Sequence, residues 1–590
     1  MQNWQKSWIS ICESSRHRLI NQGSPPAPFF FANPIQWYNN NKRSVKNSRL
    51  EAVGLRIIGT REQQAIDEAW QTQTGLPLLL LMEHAALAVV RRCFQICEQE
   101  QLTSKPVLVL CGPGQNGGDA YACARLLLSA GWPVVCREIL PDTLRPVEAQ
   151  ANRTALQKLG CVIDEPAESD FLNLHNGLII DGLFGSGLDP DRPVPELFVR
   201  LSRLTARAQK LGNHVIAVDV PSGVDGNSGR AADWALKADS TVSFVYPKIG
   251  LCTGPGRLLA GEWFIDPIGI RKSWADELLS PFQSSQLLEP GLLAGWCPTR
   301  PPNAHKGMLG RVLIIAGSRG MPGAAVLAAE AAGRSGPGLV HLMVPDDILP
   351  SAVAALPEAL TQGIGETGLS RDDFDSAIEK ADAVAVGPGL AAPDYLKELL
   401  DRLILNARHL VIDADALNFM ALNRDHYQTL LEKRCACEHL ETPVLTPHPG
   451  EAKRLSPHLD LRDRRLTASV LAAEWHSVVV LKGYGTVIAD PSHRTLISMI
   501  GHDGLARGGS GDVLTGLIAG VLAQRVPAFE AAGAAVWVHG QAAELASAQL
   551  GRRAMLPRDI INQLGDAWGK AGWEVEDVSS SRTNNEAGTW

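Results

Sequence analysis

Short apolar runs that stop at a glycine, a proline or an acid recur along this chain, and their rhythm limits what it can fold into. Residues 107–111, 178–181 and 215–219 read as buried strands in the first half, and 312–316, 339–344, 383–386, 410–413, 444–446 and 478–481 in the second. Helical spacing marks 121–130, 197–210 and 515–524. Strands alternating with helices predict an α/β protein whose parallel sheets gather their loops in a crevice at the carboxyl edge. Ser280-Pro281, Pro290-Gly291, Pro298, Pro301 and Pro302 break the pattern. Two α/β domains are therefore expected, at 55–275 and 296–575, with a linker at 276–295, a flexible extension at 1–54 and a disordered tail at 576–590.

The 590 residues, 45% hydrophobic and 20% charged, suit a soluble chain of several domains. A net charge of −8 argues against nucleic acid as the main partner, and no apolar run reaches the roughly 18–20 residues of a membrane span. Eleven scattered cysteines without a CxxC pair suggest neither a disulfide framework nor a zinc site, so a reducing, cytoplasmic setting is expected. The first fifty residues set Lys6, Arg16, Arg18, Lys42, Arg43, Lys46 and Arg49 against one acid, Glu13, a composition that also resembles an organelle transit peptide.

The densest chemical signal is Leu-Ala-Arg-Gly-Gly-Ser-Gly-Asp-Val-Leu at 505–514. Gly508, Gly509, Ser510 and Gly511 let backbone N–H groups converge, and the following helix adds its positive end, so an anion is favoured there. A carboxylate beside that anion repels it unless it takes a proton from a hydroxyl attacking phosphate, which is the role expected of Asp512. The plainer reading is a glycine-rich turn with Asp512 capping the helix.

In the first half, Gly112-Pro113-Gly114-Gln115-Asn116-Gly117-Gly118-Asp119 leaves a strand and enters a helix. Gly112, Gly114 and Gly117 match GxGxxG loosely, and Glu138 is an acid at dinucleotide-fold distance, so an NAD-binding domain is one alternative. The polar side chains of Gln115, Asn116 and Asp119 fit that reading poorly. Loops starting at Asp181 and Asp219 leave neighbouring strand ends, so Asp119, Asp181, Asp219, Asn116 and Ser222 converge as hard oxygen ligands for a hard cation. Lys248 is either a further polar group of this site or, more simply, an exposed surface lysine.

These loops, with Met82-Glu83-His84-Ala85-Ala86, resemble the YjeF N-terminal family of NAD(P)H-hydrate epimerases over about residues 56–270, a Rossmann-like three-layer sandwich. The resemblance implies that Asn116, Asp181 and Ser222 hold K⁺. It also implies that Gln115, Asn116, Gly117, Gly118, Asp119, Gly185, Ser186, Gly187, Leu188, Asp189, Pro190, Asp191 and Asp219 bind the hydrated nucleotide, with Asp219 catalytic. Gln115, Ala120 and Ala86 depart from the family's usual Asn, Gly and Gly.

The second half carries Gly317-Ser318, Gly387-Pro388-Gly389, Asp413-Ala414-Asp415, Thr446-Pro447-His448-Pro449-Gly450-Glu451 and Lys482-Gly483-Tyr484-Gly485-Thr486 at strand ends, and no GxxxxGK[ST]. It is similar to the ribokinase-like YjeF C-terminal family over roughly 296–570, which implies a doubly wound domain and ADP- or ATP-dependent dehydration of the S hydrate. By position, Ala325, Gly389, His448 and Asp512 would touch the hydrate; Lys482, Gly483, Tyr484, Gly485, Thr486 and Gly511 would touch the adenine nucleotide, with Asp512 catalytic. Mg²⁺ would accompany the nucleotide, with Glu451 and Asp415 as its shell or as structural acids, and Arg507 stands where Thr or Lys is usual. The two resemblances together imply a bifunctional lyase and isomerase acting on NAD(P)H hydrates, with no nucleic-acid or membrane partner, and a homo-oligomeric assembly. A ribokinase-type vitamin or sugar kinase with a nucleotide-binding first domain is the alternative.

Overall fold

Alternating strands and helices resolve into two sheets in the computed structural model, which describes residues 54–573 apart from 103, 284 and 366–370. The expected extension up to residue 53 and the tail lie outside the described residues. After β1 (Arg56–Ile57), the strands β2 (Val107–Cys111), β3 (Val134–Glu138), β4 (Ile163–Asp164), β5 (Leu178–Gly182), β6 (His214–Val218), β7 (Ser240–Phe244) and β8 (Glu262–Asp266) form an all-parallel sheet in the order 4-3-2-5-6-7-8. The chain winds outward in opposite directions from β2 and β5, so a crevice opens between their carboxyl ends. The loops after Cys111 and after Gly182 flank that crevice.

The second sheet contains β9 (Ser285–Leu287), β10 (Arg311–Ile315), β11 (Leu339–Pro345), β12 (Leu360–Ile364), β13 (Ala383–Val386), β14 (His409–Ile412), β15 (Val444–Leu445), β16 (Val478–Leu481), β17 (Val487–Ala489) and β18 (Thr495–Ile497). Its order is 1-9-18-17-16-15-14-13-10-11-12. Strands β10 to β16 pair in parallel, whereas β17 pairs antiparallel with both β16 and β18. The Ser510–Ala523 helix lies against this sheet and the Pro322–Gly333 helix. Gly516 sets that approach, since a Cβ there would stand 1.9 Å from the Ala328 carbonyl oxygen. The Ser510–Ala523 helix thus approaches its neighbour to backbone contact at Gly516.

Within residues 276–295, expected as a linker, β9 lies between the Lys272–Leu278 and Pro290–Ala294 helices, beside β18 and β1. Pro290 begins a helix, where its missing N–H costs nothing, so it is not a breaker there. Strand β1 closes the edge of the second sheet, yet the next residue, Ile58, donates to the Pro247 carbonyl (3.0 Å) and accepts from the Ile249 amide (2.9 Å). Ile249, Leu251, Cys252 and Ala260 of the first domain share one apolar core with second-domain residues. No described helix is long and apolar enough to cross a membrane.

Candidate active sites

The crevice of the first sheet holds a cavity of about 550 Å³, within the roughly 300–1,000 Å³ usual for small-molecule sites. Gln115, Asn116, Asp119, Gly185, Ser186, Gly187, Leu188, Asp189 and Asp219 line it, as do Asp67, Met82 and Arg192. The Thr60–Thr74 helix supplies a wall, and its Thr60 hydroxyl donates to the Ser186 carbonyl (3.1 Å), fixing the 185–189 turn. Four expected contacts lie outside the lining. Pro190 is absent from it; Asp191 faces outward, paired with Arg230 and with Arg462 of the second domain (3.3 Å to the latter). Gly117 and Gly118 are buried inside the Gln115–Ser129 helix, which begins well before residue 121. They serve packing: a Cβ on Gly118 would meet Met82, and one on Gly117 would lie 1.9 Å from the Gly112 carbonyl oxygen. Because that neighbour is backbone, Gly117→Ala should cost about 1–3 kcal/mol or more, read as a lower denaturation midpoint. Gly114→Ala, with nothing within 4 Å, should leave the midpoint nearly unchanged.

Lys248 is not a surface lysine. It is 0% exposed, and its ammonium lies 2.9 Å from Asp219 Oδ1 while donating to Ser243 Oγ (3.3 Å), Phe244 O (3.1 Å) and Tyr246 O (3.4 Å). Asp219 also accepts from Ser243 Oγ (2.9 Å) and adopts φ +65°, a left-handed conformation that few non-glycine residues take and that functional sites often retain. Asp119 has no hydrogen-bonding or ionic partner among the described residues; burial, with the charges of Asp219 and Asp67 nearby, pushes its pKa well above the carboxylate range. Burial also raises Asp67 to about 6, against the Gln63 hydrogen bond and the Lys248 charge.

Behind the cavity, Asp181 is fully buried, accepts from Ser222 Oγ (2.5 Å), Ser222 N (2.8 Å) and Leu183 N (3.3 Å), and has no basic side chain beside it among the described residues. Ser222 Oγ also reaches the Phe184 carbonyl (3.3 Å), to which Asn116 Nδ2 donates (3.0 Å). Carboxylate, hydroxyl, carbonyl and amide thus gather around an uncompensated buried charge, a donor set suited to a hard monovalent cation. No group of three or more His, Cys, Asp or Glu is arranged for a metal among the described residues. Glu138 cannot take a ribose: its carboxylate is enclosed by Arg153 (2.7 Å), Arg145 (3.2 Å) and the Tyr121 hydroxyl (2.8 Å), which removes the dinucleotide-fold alternative's key acid.

In the second domain, Gly509 at φ +97° precedes the Ser510–Ala523 helix, and Asp512 lies in its first turn. Burial, then the charges of Asp413 and Asp415, raise Asp512 to about 6, against the opposing charge of Lys482. A Cβ at Gly511 would lie 3.5 Å from Lys482 Nζ and 4.0 Å from Asp413 Oδ2, so the ion pair stands beside the first turn of this helix. Lys482 pairs with Asp413 Oδ1 (2.7 Å), whose other oxygen accepts from Thr515 Oγ1 (2.6 Å). Burial opposes ionisation of Asp413, but Lys482 and the hydroxyls of Thr515 and Thr446 outweigh it and hold its pKa low. His448 caps the Pro449–Leu455 helix by accepting at Nδ1 from Gly450 N (2.9 Å) and Glu451 N (3.3 Å), and burial with Lys482 lowers its pKa. It therefore positions a loop as a neutral ring. Glu451, raised by burial to about 7, accepts from the His448 amide (2.7 Å), and Asp415 accepts from the Ala391 amide (2.9 Å).

Ala325 is buried on the Pro322–Gly333 helix, where Gly317 packs against it, and Gly389 at φ +57° packs against Ala324. Loop 482–486 is held from both sides. Arg464 donates to Leu481 O (2.9 Å), Lys482 O (3.1 Å) and Gly485 O (3.3 Å), and Arg257 of the first domain lies 4.0 Å from the centre of the Tyr484 ring.

Residues 79–250 match the family model described as YjeF-related protein N-terminus, and residues 312–565 match the one described as NAD(P)H-hydrate dehydratase. The bifunctional NAD(P)H-hydrate repair enzyme of Moorella thermoacetica is 34% identical over 552 residues, covering 88% of this chain and 98% of that protein. The chain belongs to the bifunctional NAD(P)H-hydrate repair enzymes. The repair enzyme of Escherichia coli is 34% identical over 521 residues, covering 87% of this chain and 93% of that one. Among solved structures, the ADP/ATP-dependent NAD(P)H-hydrate dehydratase of Bacillus subtilis, co-crystallised with ATP and Mg²⁺, is 31% identical over 48% of this chain and 98% of its own, with a TM-score of 0.42.

In this repair-enzyme chain, sequence reasoning missed Asp67, Asp413 and Thr515 as site groups. Asp413 was visible as the acid ending a strand in the Asp413-Ala414-Asp415 segment. Asp67 and Thr515 sit inside helices, and nothing in their local spacing separates them from ordinary helix residues.

Proposed function

We propose that the first domain interconverts the R and S forms of NADH and NADPH hydrates, and that the second dehydrates the S form at the expense of ADP or ATP. The observation that carries this reading is Asp512, a carboxylate in the first turn of the Ser510–Ala523 helix, where Gly511 lies beside the Lys482–Asp413 pair. Such a site polarises a phosphate and takes a proton from the group attacking it.

Hydroxide is a poor leaving group from C6 of the hydrate, whereas a phosphate ester departs readily. Asp512 takes the C6 hydroxyl proton as its oxygen attacks the terminal phosphorus and the bond to the nucleotide breaks. The ring nitrogen then expels phosphate, and loss of a C5 proton restores the C5–C6 double bond. Lys482, beside Gly511, supplies positive charge to offset the negative charge that develops during transfer. Loop 482–486 holds the nucleotide, and Gly389 and His448 border the hydrate, while Ala325, fully buried, packs against Gly317. Glu451 and Asp415 are the acids that would be available to the shell of an Mg²⁺ bound with the nucleotide, an ion that would supply neutralisation of phosphate charge.

In the first domain, Asp219 with Lys248 handles protons at C6, while Asn116, Asp181 and Ser222 hold K⁺. That ion would compensate the buried Asp181 charge and fix the Phe184–Leu188 turn. The whole reading is tested with purified protein, mixed R and S hydrates of NADH, Mg²⁺, K⁺ and ADP or ATP. Complete recovery of NADH with one phosphate released per molecule is expected. A stable phosphorylated product without recovery would instead identify a ribokinase-type kinase, and recovery of the R fraction no faster than spontaneous exchange would remove the epimerase.

A further inference from the structure

Inversion at C6 needs more proton handling than one fixed carboxylate provides. The C6–O bond breaks as the ring nitrogen forms a double bond to C6, and the departing hydroxyl must receive a proton to leave as water. Water then adds to the other face of C6, forming a new C–O bond, and gives up a proton. The group that protonates on one face is poorly placed to deprotonate on the other. Asp219 supplies one such group, and its Oδ1 is already occupied by Lys248 (2.9 Å) and Ser243 (2.9 Å).

We propose, resting on the epimerase reading above, that Asp67 is a second catalytic acid–base group of the first domain. It projects from the Thr60–Thr74 helix into the same cavity as Asp219, which comes from the sheet edge, so the two approach bound hydrate from different structural walls. Gln63 Nε2 donates to Asp67 Oδ1 (3.0 Å), and no basic side chain pairs with it among the described residues, which leaves Oδ2 free for a ligand. A helix acid serving only solubility would face water. This one lines the cavity, and burial raises it to about 6, so both its protonated and its ionised forms are available near neutrality. In the R-to-S direction Asp67 gives its proton to the leaving hydroxyl and the Asp219 carboxylate accepts the proton of the incoming water. In the reverse direction the roles exchange, and protons re-equilibrate with solvent between turnovers.

The charged groups facing Asp67 are Lys248, Asp219 and Glu68, with Asp119 and Arg192 elsewhere on the cavity wall. The test uses full-length protein carrying Asp67→Asn or Asp67→Glu, with R/S exchange followed by separation of the epimers in H₂¹⁸O and dehydration of pure S hydrate measured alongside. Asp67→Asn is expected to lower kcat for exchange by a hundredfold or more with little change in KM, to slow ¹⁸O entry at C6 in parallel, and to remove a limb near pH 6 from the exchange profile. Asp67→Glu should recover part of the rate, and S dehydration should persist in both, showing a folded chain. Exchange within threefold of wild type in Asp67→Asn, or a loss confined to KM, would overturn the assignment. Wild-type exchange no faster than the spontaneous rate would overturn the epimerase reading itself.

Discussion

Replacing Asp512 by asparagine is expected to slow dehydration of the S hydrate by about 10²–10⁴-fold, the usual worth of a positioned general base, while R/S exchange continues at the wild-type rate. Asparagine keeps the volume and leaves the Gly509–Gly511 backbone in place, so nucleotide binding should survive. The competing role, a carboxylate merely complementing the positive end of the Ser510–Ala523 helix, predicts a small change in stability and near-normal turnover. The pH profile separates these further. A base works only when ionised, and burial with Asp413 and Asp415 places the Asp512 transition at about 6 instead of in the usual carboxylate range. Wild-type dehydration should therefore be flat above that value and fall about tenfold per pH unit below it, and the residual Asn rate should show no such limb. An asparagine variant that recovers NADH at wild-type speed would end the proposal for this domain.

How far the chain could be read before its structure depends on the length scale of each signal. Runs such as 107–111, 383–386 and 478–481 stand where expected, because strands buried on both faces are apolar throughout. Strands β9, β17 and β18 have three residues each, too few for any period to show. Helix starts were set too late at Gln115 and Ser510, since Gly and Asn in the first turn look like loop while close packing makes them helix. Of the site, the glycine-rich and acid-bearing loops were legible as strand-end punctuation. Gly117, Gly118 and Asp191 look the same in sequence as true lining residues, and only packing separates them. Lys248 was misread because a lysine between Pro247 and Ile249 has no local mark of burial; its partner arrives from the end of a different strand.

That buried pair makes the second large prediction. Lys248→Met removes a cation that is 0% exposed and leaves Asp219, 12% exposed, without its counter-charge. Breaking one side of a buried pair typically costs about 3–5 kcal/mol, because the remaining charge is desolvated and uncompensated. The value here should fall toward the lower end, since Ser243 still donates to Asp219 and the cavity admits water. Epimer exchange should vanish with it. Loss of activity alone could mean loosened structure, particularly as Ile58 and Ile249 join both domains beside Lys248. The double variant Lys248→Met with Asp219→Asn resolves this. With both charges gone no buried charge is left unpaired, so most of the stability should return while exchange remains absent. Denaturant midpoints and exchange rates on wild type, both single variants and the double give the coupling directly. If the double variant is as unstable as Lys248→Met alone, then the lysine acts through its carbonyl partners Phe244 and Tyr246, and the Asp219 charge is not what it serves. If exchange returns in the double variant, proton handling at C6 must belong to other groups on the cavity wall.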